Sequence, residues 1–126
     1  SPLFGRALAR QVDQALQAAD SGEVWEFGAG SGALATQLLV ALGERVKRYS
    51  IVELSGSLRE RQRERLAAFG ATVRWVDRLP AQIAGVVIGV STVTSVTLSR
   101  TIDVAQGCMS DHSLVTRAID EVCCSV

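Results

Sequence analysis

The sequence predicts an α/β protein with a Rossmann-like parallel sheet, and two observations support this fold class. Short apolar segments alternate with segments of helical periodicity over residues 1–89, and a glycine-rich turn joins the first strand to the helix after it. Strands separated by helices of about ten to fifteen residues form βαβ units, whose strands run parallel. We therefore expect a partial parallel sheet of four or five strands with flanking helices.

The first helix begins at Ser1-Pro2, an N-cap residue followed by proline at the first helical position. Asp20-Ser21-Gly22 ends this helix, and a short apolar strand over 23–27 leads into the turn 28–32. Along the helix, apolar side chains recur every three or four residues and form one face. They are Leu3, Phe4, Ala7, Leu8, Val12, Ala15 and Leu16.

The second helix follows the glycine turn, and a second strand over 49–53 follows the helix. Gly43 ends the helix, since glycine is common just after the last helical residue. The apolar face of this helix comprises Leu34, Leu38, Leu39 and Leu42.

The third helix is capped by Ser55 or Ser57 and closed by Gly70. Its arginines and glutamates are spaced three and four residues apart, which is typical of a solvated face rather than of an RNA-binding surface. Its buried face is expected to comprise Leu58, Gln62, Leu66 and Phe69.

Strands over 72–76 and 84–89 complete the parallel set. The strand over 84–89 is an exposed apolar edge unless residues 92–98 or another chain pair with it. Oligomerisation through this sheet edge is therefore one expectation, and pairing with 92–98 within the chain is the alternative.

The character of the sequence changes after residue 89, and we divide the chain there. The region 1–89 contains the glycine turn and the strands described above, whereas 90–126 is a divergent segment packed on the same domain, with no assigned role. Residues 91–99 alternate polar and apolar side chains as in an amphipathic strand, and 110–122 show weak helical periodicity.

The composition excludes several classes of function. Thirteen basic residues balance thirteen acidic ones, so no net field draws the chain to nucleic acid or to anionic membranes. No apolar run approaches the roughly 20 residues of a membrane span, and the expected compartment is the cytoplasm. Cys108, Cys123, Cys124 and the single His112 lack the spacing of a zinc site, so no metal is expected.

The glycine turn contains Gly28, Ala29, Gly30 and Gly32 between a strand and a helix. Glycine permits the tight turn and lets the backbone approach a ligand without a Cβ in the way. The N-terminus of the following helix adds free N–H groups and a partial positive charge. Such a turn suits a dinucleotide pyrophosphate or the carboxylate of an amino-acid-like cofactor, and the glycine pattern alone does not distinguish them.

Two carboxylates flank the glycine turn in the sequence, and one of them distinguishes between the possible cofactors. Glu53 ends the second strand, where it can accept hydrogen bonds from both ribose hydroxyls, as in nicotinamide and S-adenosylmethionine sites alike. Glu26 precedes Gly28 by two residues, where a carboxylate would repel a pyrophosphate and attract an ammonium group. The order acid-x-Gly-x-Gly-x-Gly therefore favours S-adenosylmethionine. An ion pair or a surface position is the alternative for either glutamate.

Three further residues belong to the predicted cofactor site. Leu54 adjoins Glu53, and Trp75 and Asp77 lie at the carboxyl end of the third strand, at the sheet edge where ligands bind. An acid there can accept a hydrogen bond from the adenine amino group, and an indole can lie on the adenine ring. Core packing of Trp75 and a turn role for Asp77 are the alternatives.

Five segments of the first 89 residues carry a family resemblance. They are Ser1-Pro2-Leu3-Phe4-Gly5, Trp25-Glu26-Phe27-Gly28-Ala29-Gly30-Ser31-Gly32, Tyr49-Ser50-Ile51-Val52-Glu53, Leu58-Arg59-x-Arg61-Gln62 and Gly85-Val86-Val87-Ile88-Gly89. In this order and spacing they resemble the MidA family of S-adenosylmethionine-dependent methyltransferases. The mitochondrial members of that family are protein arginine methyltransferases needed for complex I assembly.

The resemblance implies the class I methyltransferase fold, S-adenosyl-L-methionine as the cofactor, and a protein arginine as the methyl acceptor. It implies cofactor-binding roles for Glu26, Gly28, Gly30 and Glu53, and a mitochondrial location for eukaryotic relatives.

The chain also departs from the family pattern. Family members begin some tens of residues before the position of Ser1, and they carry an Asn-Glu pair and a downstream Asp at the methyl-transfer site. Val90 and Ser91 occupy the positions of the pair here. We therefore expect a truncated form with impaired catalysis, and assign no catalytic residue. The alternatives are a catalytically inert cofactor- or partner-binding module and, less favoured because of Glu26, a nicotinamide-dependent oxidoreductase.

Overall fold

The computed structural model describes residues 2–78, 80, 82–91 and 93–103. The helices in these ranges are α1 (Pro2–Ala19), α2 (Ala33–Leu42) and α3 (Gly56–Leu66), with 3-10 segments at Gly43–Arg45 and Ala67–Thr72. The strands are β1 (Glu23–Phe27), β2 (Arg48–Val52), β3 (Val73–Val76), β4 (Gln82–Ser91) and β5 (Val93–Asp103). They form one sheet in the order β3-β2-β1-β4-β5. The predicted α/β fold class is confirmed.

The bounds of the elements follow the local signals closely. β1 has the predicted bounds, and Gly43 follows the last residue of α2 with a φ of +54°. Ser55, rather than Ser57, caps α3, because its side chain accepts a hydrogen bond from the Leu58 amide. The third helix ends earlier than predicted and continues as a 3-10 segment that contains Gly70, whose φ is +56°.

The strand order reverses at β1: β2 and β3 follow on one side of it, and β4 and β5 lie on the other. β1 pairs in parallel with β2 on one side and with β4 on the other, so that Glu26 lies between Ile51 and Ile88. The carboxyl ends of β1 and β4 therefore form a topological switch point, where ligands of open α/β sheets bind. The turn 28–32 begins at this point.

The fifth strand pairs antiparallel with β4. This hairpin matches the predicted alternative in which residues 92–98 cover the strand over 84–89. Four strands are thus parallel and the fifth is antiparallel, and β3 and β5 are the edges of the described sheet. The weak helix predicted over 110–122 and the three cysteines lie outside the described residues.

The hydrophobic core fills the space between the helices and one face of the sheet. Val12 of α1, Leu38 of α2, and Tyr49 and Ile51 of β2 are completely buried in it. Helices α1 and α2 approach closely at Gly5, where a Cβ would collide with the side chain of Gln37. None of the helices in the described ranges is both long and apolar enough to cross a membrane.

Candidate functional site

The glycine turn adopts a backbone that side chains rarely allow. Gly28, Gly30 and Gly32 have φ values of +65°, +57° and +83°, in the left-handed region that glycine enters at no steric cost. The Gly32 amide donates to the carbonyl of Ala29 at 2.9 Å and closes the turn. A Cβ at Gly32 would lie 3.4 Å from Arg65 Cδ, whereas a Cβ at Gly30 would meet nothing within 4 Å. Gly30 therefore marks the open side of the turn.

Glu26 is completely buried at the end of β1, directly before this turn. Its Oε1 accepts a hydrogen bond of 2.7 Å from the Tyr49 hydroxyl, while Oε2 has no hydrogen-bond partner among the described residues. Burial raises the pKa of Glu26 to about 7, and the bond from Tyr49 acts in the opposite direction. Burial and the neighbouring carboxyl raise the pKa of Tyr49 well above 10. Ionisation of Glu26 in the folded protein is therefore unfavourable, and the carboxylate would have a described hydrogen-bond donor at only one of its two oxygens.

Glu53 follows β2 and is half-buried. Its Oε2 accepts from the Ser55 amide at 3.2 Å, and its Oε1 accepts from Gln62 Nε2 at 3.1 Å. Each carboxylate oxygen has two lone pairs, so both oxygens keep acceptor capacity for a ligand. The neighbouring Leu54 is 79% exposed.

Gln62 of α3 is completely buried and connects three parts of the site. Its Nε2 donates to the Gly30 carbonyl at 2.8 Å as well as to Glu53, and its Oε1 accepts from Trp75 Nε1 at 2.9 Å. The helical periodicity predicts Gln62 on the buried face of α3, but it does not place this residue in the site. The sequence signal for a role in the site was a glutamine on an otherwise apolar helix face, because a buried amide needs hydrogen-bond partners.

Trp75 and Asp77 lie at the end of β3. Trp75 is half-buried, with the Arg63 guanidinium 5.5 Å from its ring centroid. Asp77 is exposed and forms an ion pair with Arg59, which also donates through Nε to the Glu53 carbonyl at 2.6 Å. Arg59 therefore joins the ends of β2 and β3. Contacts of Trp75 and Asp77 with an adenine remain a prediction.

The predicted cofactor residues thus share the carboxyl edge of the sheet. Direct hydrogen bonds connect the glycine turn, Glu53 and Trp75 through Gln62, and Arg59 connects Asp77 to the same edge. Among the described residues, no three His, Cys, Asp or Glu side chains are grouped as metal ligands. The site offers a buried carboxylate, an open backbone turn and a second carboxylate, which suit a ligand with an ammonium group and a ribose.

Residues 3–94 match a family model described as "Putative S-adenosyl-L-methionine-dependent methyltransferase". Two solved structures from Burkholderia thailandensis are 53% identical to this chain. One, described as a "likely methyl transferase" and bound to S-adenosyl-homocysteine, has a TM-score of 0.65 and covers 71% of this chain. The other, described as an uncharacterized protein, has a TM-score of 0.64 and covers 70%.

The match to these two structures extends over 25% of each of their chains, so this chain spans about a quarter of their length. A search of curated proteins found no match. At this identity, the likeness confirms the Rossmann-like fold predicted from the sequence.

Proposed function

Since the chain belongs to this family of S-adenosyl-L-methionine-dependent methyltransferases, we propose that residues 1–89 form the cofactor-binding part of such an enzyme. The observation that carries the proposal is the Oε2 of the buried Glu26, which has no partner in the part of the chain that the structure describes and lies beside an open glycine turn. S-adenosyl-L-methionine supplies an electrophilic methyl group on a sulfonium, and its amino-acid end carries an ammonium group. The residues of this chain bind and orient that molecule.

The ammonium group fits the electrostatics at the end of β1. An unpaired carboxylate oxygen in the interior is unfavourable, and a nearby cationic donor compensates for it. Because Oε2 is shielded from solvent, direct contact requires a local shift of the atoms that cover it. The charge of Glu26 acts without contact, because electrostatic attraction is stronger in a low-dielectric interior than in water.

The ribose and the adenine would bind farther along the same edge. Glu53 retains lone pairs on both oxygens for the two ribose hydroxyls, and the exposed Leu54 offers an apolar surface for the base. Trp75 and Asp77 flank this region from β3, the former for ring contact and the latter for the adenine amino group. These assignments are proposals that agree with the chemistry of the side chains.

A dinucleotide fits the same site less well. A pyrophosphate on the glycine turn would bring two negative charges next to the buried carboxyl of Glu26, with unfavourable energy in a low-dielectric environment. This is the physical reason for preferring S-adenosyl-L-methionine to a nicotinamide cofactor.

The decisive experiment is isothermal titration of the chain with S-adenosylhomocysteine, with NADH as the control ligand. We expect saturable binding of S-adenosylhomocysteine and none of NADH. Binding of NADH alone would refute the proposed cofactor. Binding of neither by a folded sample would mean that the glycine turn has only a structural role in this chain.

The acceptor that we propose is a protein arginine, and the support for it is the resemblance of the first 89 residues to the MidA family. Transfer of labelled methyl groups to peptides that contain arginine, with lysine peptides as the matched control, tests this class of acceptor. Labelling of the lysine peptides alone would refute it.

A second candidate function is a module that binds the cofactor or a partner without catalysis. One observation favours it: the backbone of Val90 and Ser91 pairs with Thr94 and Val93 in the β4–β5 hairpin, at the carboxyl end of β4 where family members carry their Asn-Glu pair. Saturable binding of S-adenosylhomocysteine, together with no methyl transfer to any arginine or lysine peptide, would favour this module over the enzyme.

A further inference from the structure

Gln62 joins three site segments that are distant in sequence: the turn after β1, the residue after β2, and β3. We propose that Gln62 is a positioning residue of the cofactor site, which holds the Glu53 carboxylate in the orientation that binds the ribose hydroxyls. This inference rests on the proposed function, because it assigns Glu53 to the ribose.

The orientation of the Gln62 amide is fixed by the chemistry of its neighbours. Trp75 Nε1 can only donate a hydrogen bond, so the oxygen of Gln62 must face the indole. Its nitrogen therefore faces the Gly30 carbonyl and the Glu53 carboxylate, both of which are acceptors. Both N–H groups are used, and a flipped amide would bring oxygen against oxygen at two contacts.

The Glu53 carboxylate is fixed at both of its oxygens as a result. Gln62 donates to Oε1 and the Ser55 amide donates to Oε2. Two donors at opposite ends of the carboxylate restrict its rotation, and the remaining lone pairs keep a constant direction. A preorganised acceptor loses less conformational entropy when a ligand binds.

A role limited to packing does not explain the residue type at this position. The next residue on the same face of α3, Leu66, is apolar and also buried, and a long apolar side chain would fill the space of Gln62 without needing partners. A completely buried amide is favourable only because each of its groups is bonded. All three of its partners belong to the predicted cofactor site.

The test compares Gln62→Met with wild type in the full chain, using S-adenosylhomocysteine and its 2′-deoxyribose analogue as probes. Wild type is expected to bind S-adenosylhomocysteine about tenfold or more tightly than the analogue, through the charge-assisted bond to Glu53. Met keeps the length of the side chain and removes its hydrogen bonds. If Gln62 acts through Glu53, the preference of Gln62→Met for S-adenosylhomocysteine over the analogue falls to less than about threefold. Gln17→Met, on the surface of α1, is the matched control and retains the preference.

Equal weakening of both ligands in Gln62→Met, with the preference unchanged, would show a structural role only and overturn the inference. If Gln62→Met does not fold, Gln62→Leu replaces it, since leucine is also the buried residue at position 66 on the same helix face and the change likewise removes the donor to Glu53. The same loss of preference is then expected, and an unchanged preference refutes the inference. If wild type binds neither ligand, the proposed function fails and the inference fails with it.

Discussion

Replacing Glu26 with glutamine is expected to change stability and ligand binding in opposite directions. Glutamine has the shape of the protonated glutamate and can still accept the hydrogen bond from Tyr49, but it carries no charge at any pH. The substitution therefore removes the energetic cost of ionising a buried carboxyl. It also removes the negative charge that we assign to the cofactor's ammonium group.

The size of the stability change follows from the pKa of Glu26, which is about 7 in the folded protein against an ordinary value of 4.5. Between these two pH values the folded state keeps a proton that the unfolded state has released. Stability therefore falls as pH rises through this window, because the unfolded state binds fewer protons. The shift corresponds to a loss of about 3 kcal/mol at pH 8 relative to pH 4.5. Glu26→Gln lacks this contribution.

The assay is urea unfolding of wild type and Glu26→Gln at pH 5 and at pH 8, followed by circular dichroism. The contributions of the other titratable groups cancel in the difference between the two proteins at each pH. We expect nearly equal stability at pH 5 and a more stable variant at pH 8, by about 1–3 kcal/mol. A difference that is the same at both pH values would refute the reasoning about the buried carboxyl.

The same substitution should weaken the binding of S-adenosylhomocysteine. Binding of an ammonium group favours the ionised form of Glu26, so the affinity of wild type for S-adenosylhomocysteine should rise between pH 6 and pH 8. The variant should bind about tenfold more weakly at pH 8 and show a flatter pH profile. Equal affinity of the two proteins at pH 8 would remove Glu26 from the cofactor site, whatever its effect on stability.

Four further substitutions test the remaining parts of the site. Glu53→Ala should weaken binding of S-adenosylhomocysteine by about 1.5–3 kcal/mol in isothermal titration, as expected for the loss of charge-assisted bonds; unchanged affinity would mean that another group binds the ribose. Leu54→Ala should leave thermal stability unchanged, because the side chain is 79% exposed, but should weaken the ligand severalfold; a lower melting temperature would contradict this. Gly30→Ala and Gly32→Ala should each cost about 1–2 kcal/mol in urea unfolding because of their positive φ, since a Cβ at Gly32 would only come into ordinary van der Waals contact with Arg65. No loss of stability in either variant would contradict the backbone strain expected at these glycines.

The sequence by itself determined the fold class and the approximate bounds of most elements. Helical periodicity, caps and glycine stops are local signals, and they located α1, α2 and β1 within one or two residues. The sequence also determined that Glu26 and Glu53 would share one edge of the sheet, because the carboxyl ends of parallel strands lie on the same side. Those predictions depend only on the chain direction and on short-range patterns.

The tertiary structure alone decided how the side chains of that edge are connected. The Tyr49–Glu26 bond joins residues 23 positions apart, and the Gln62–Gly30 bond joins residues 32 positions apart. Which atoms meet depends on strand register and on the packing of α3, and neither is encoded in a local pattern. The unpaired oxygen of Glu26 and the three-way connection at Gln62 therefore became visible only after folding had brought these distant segments together.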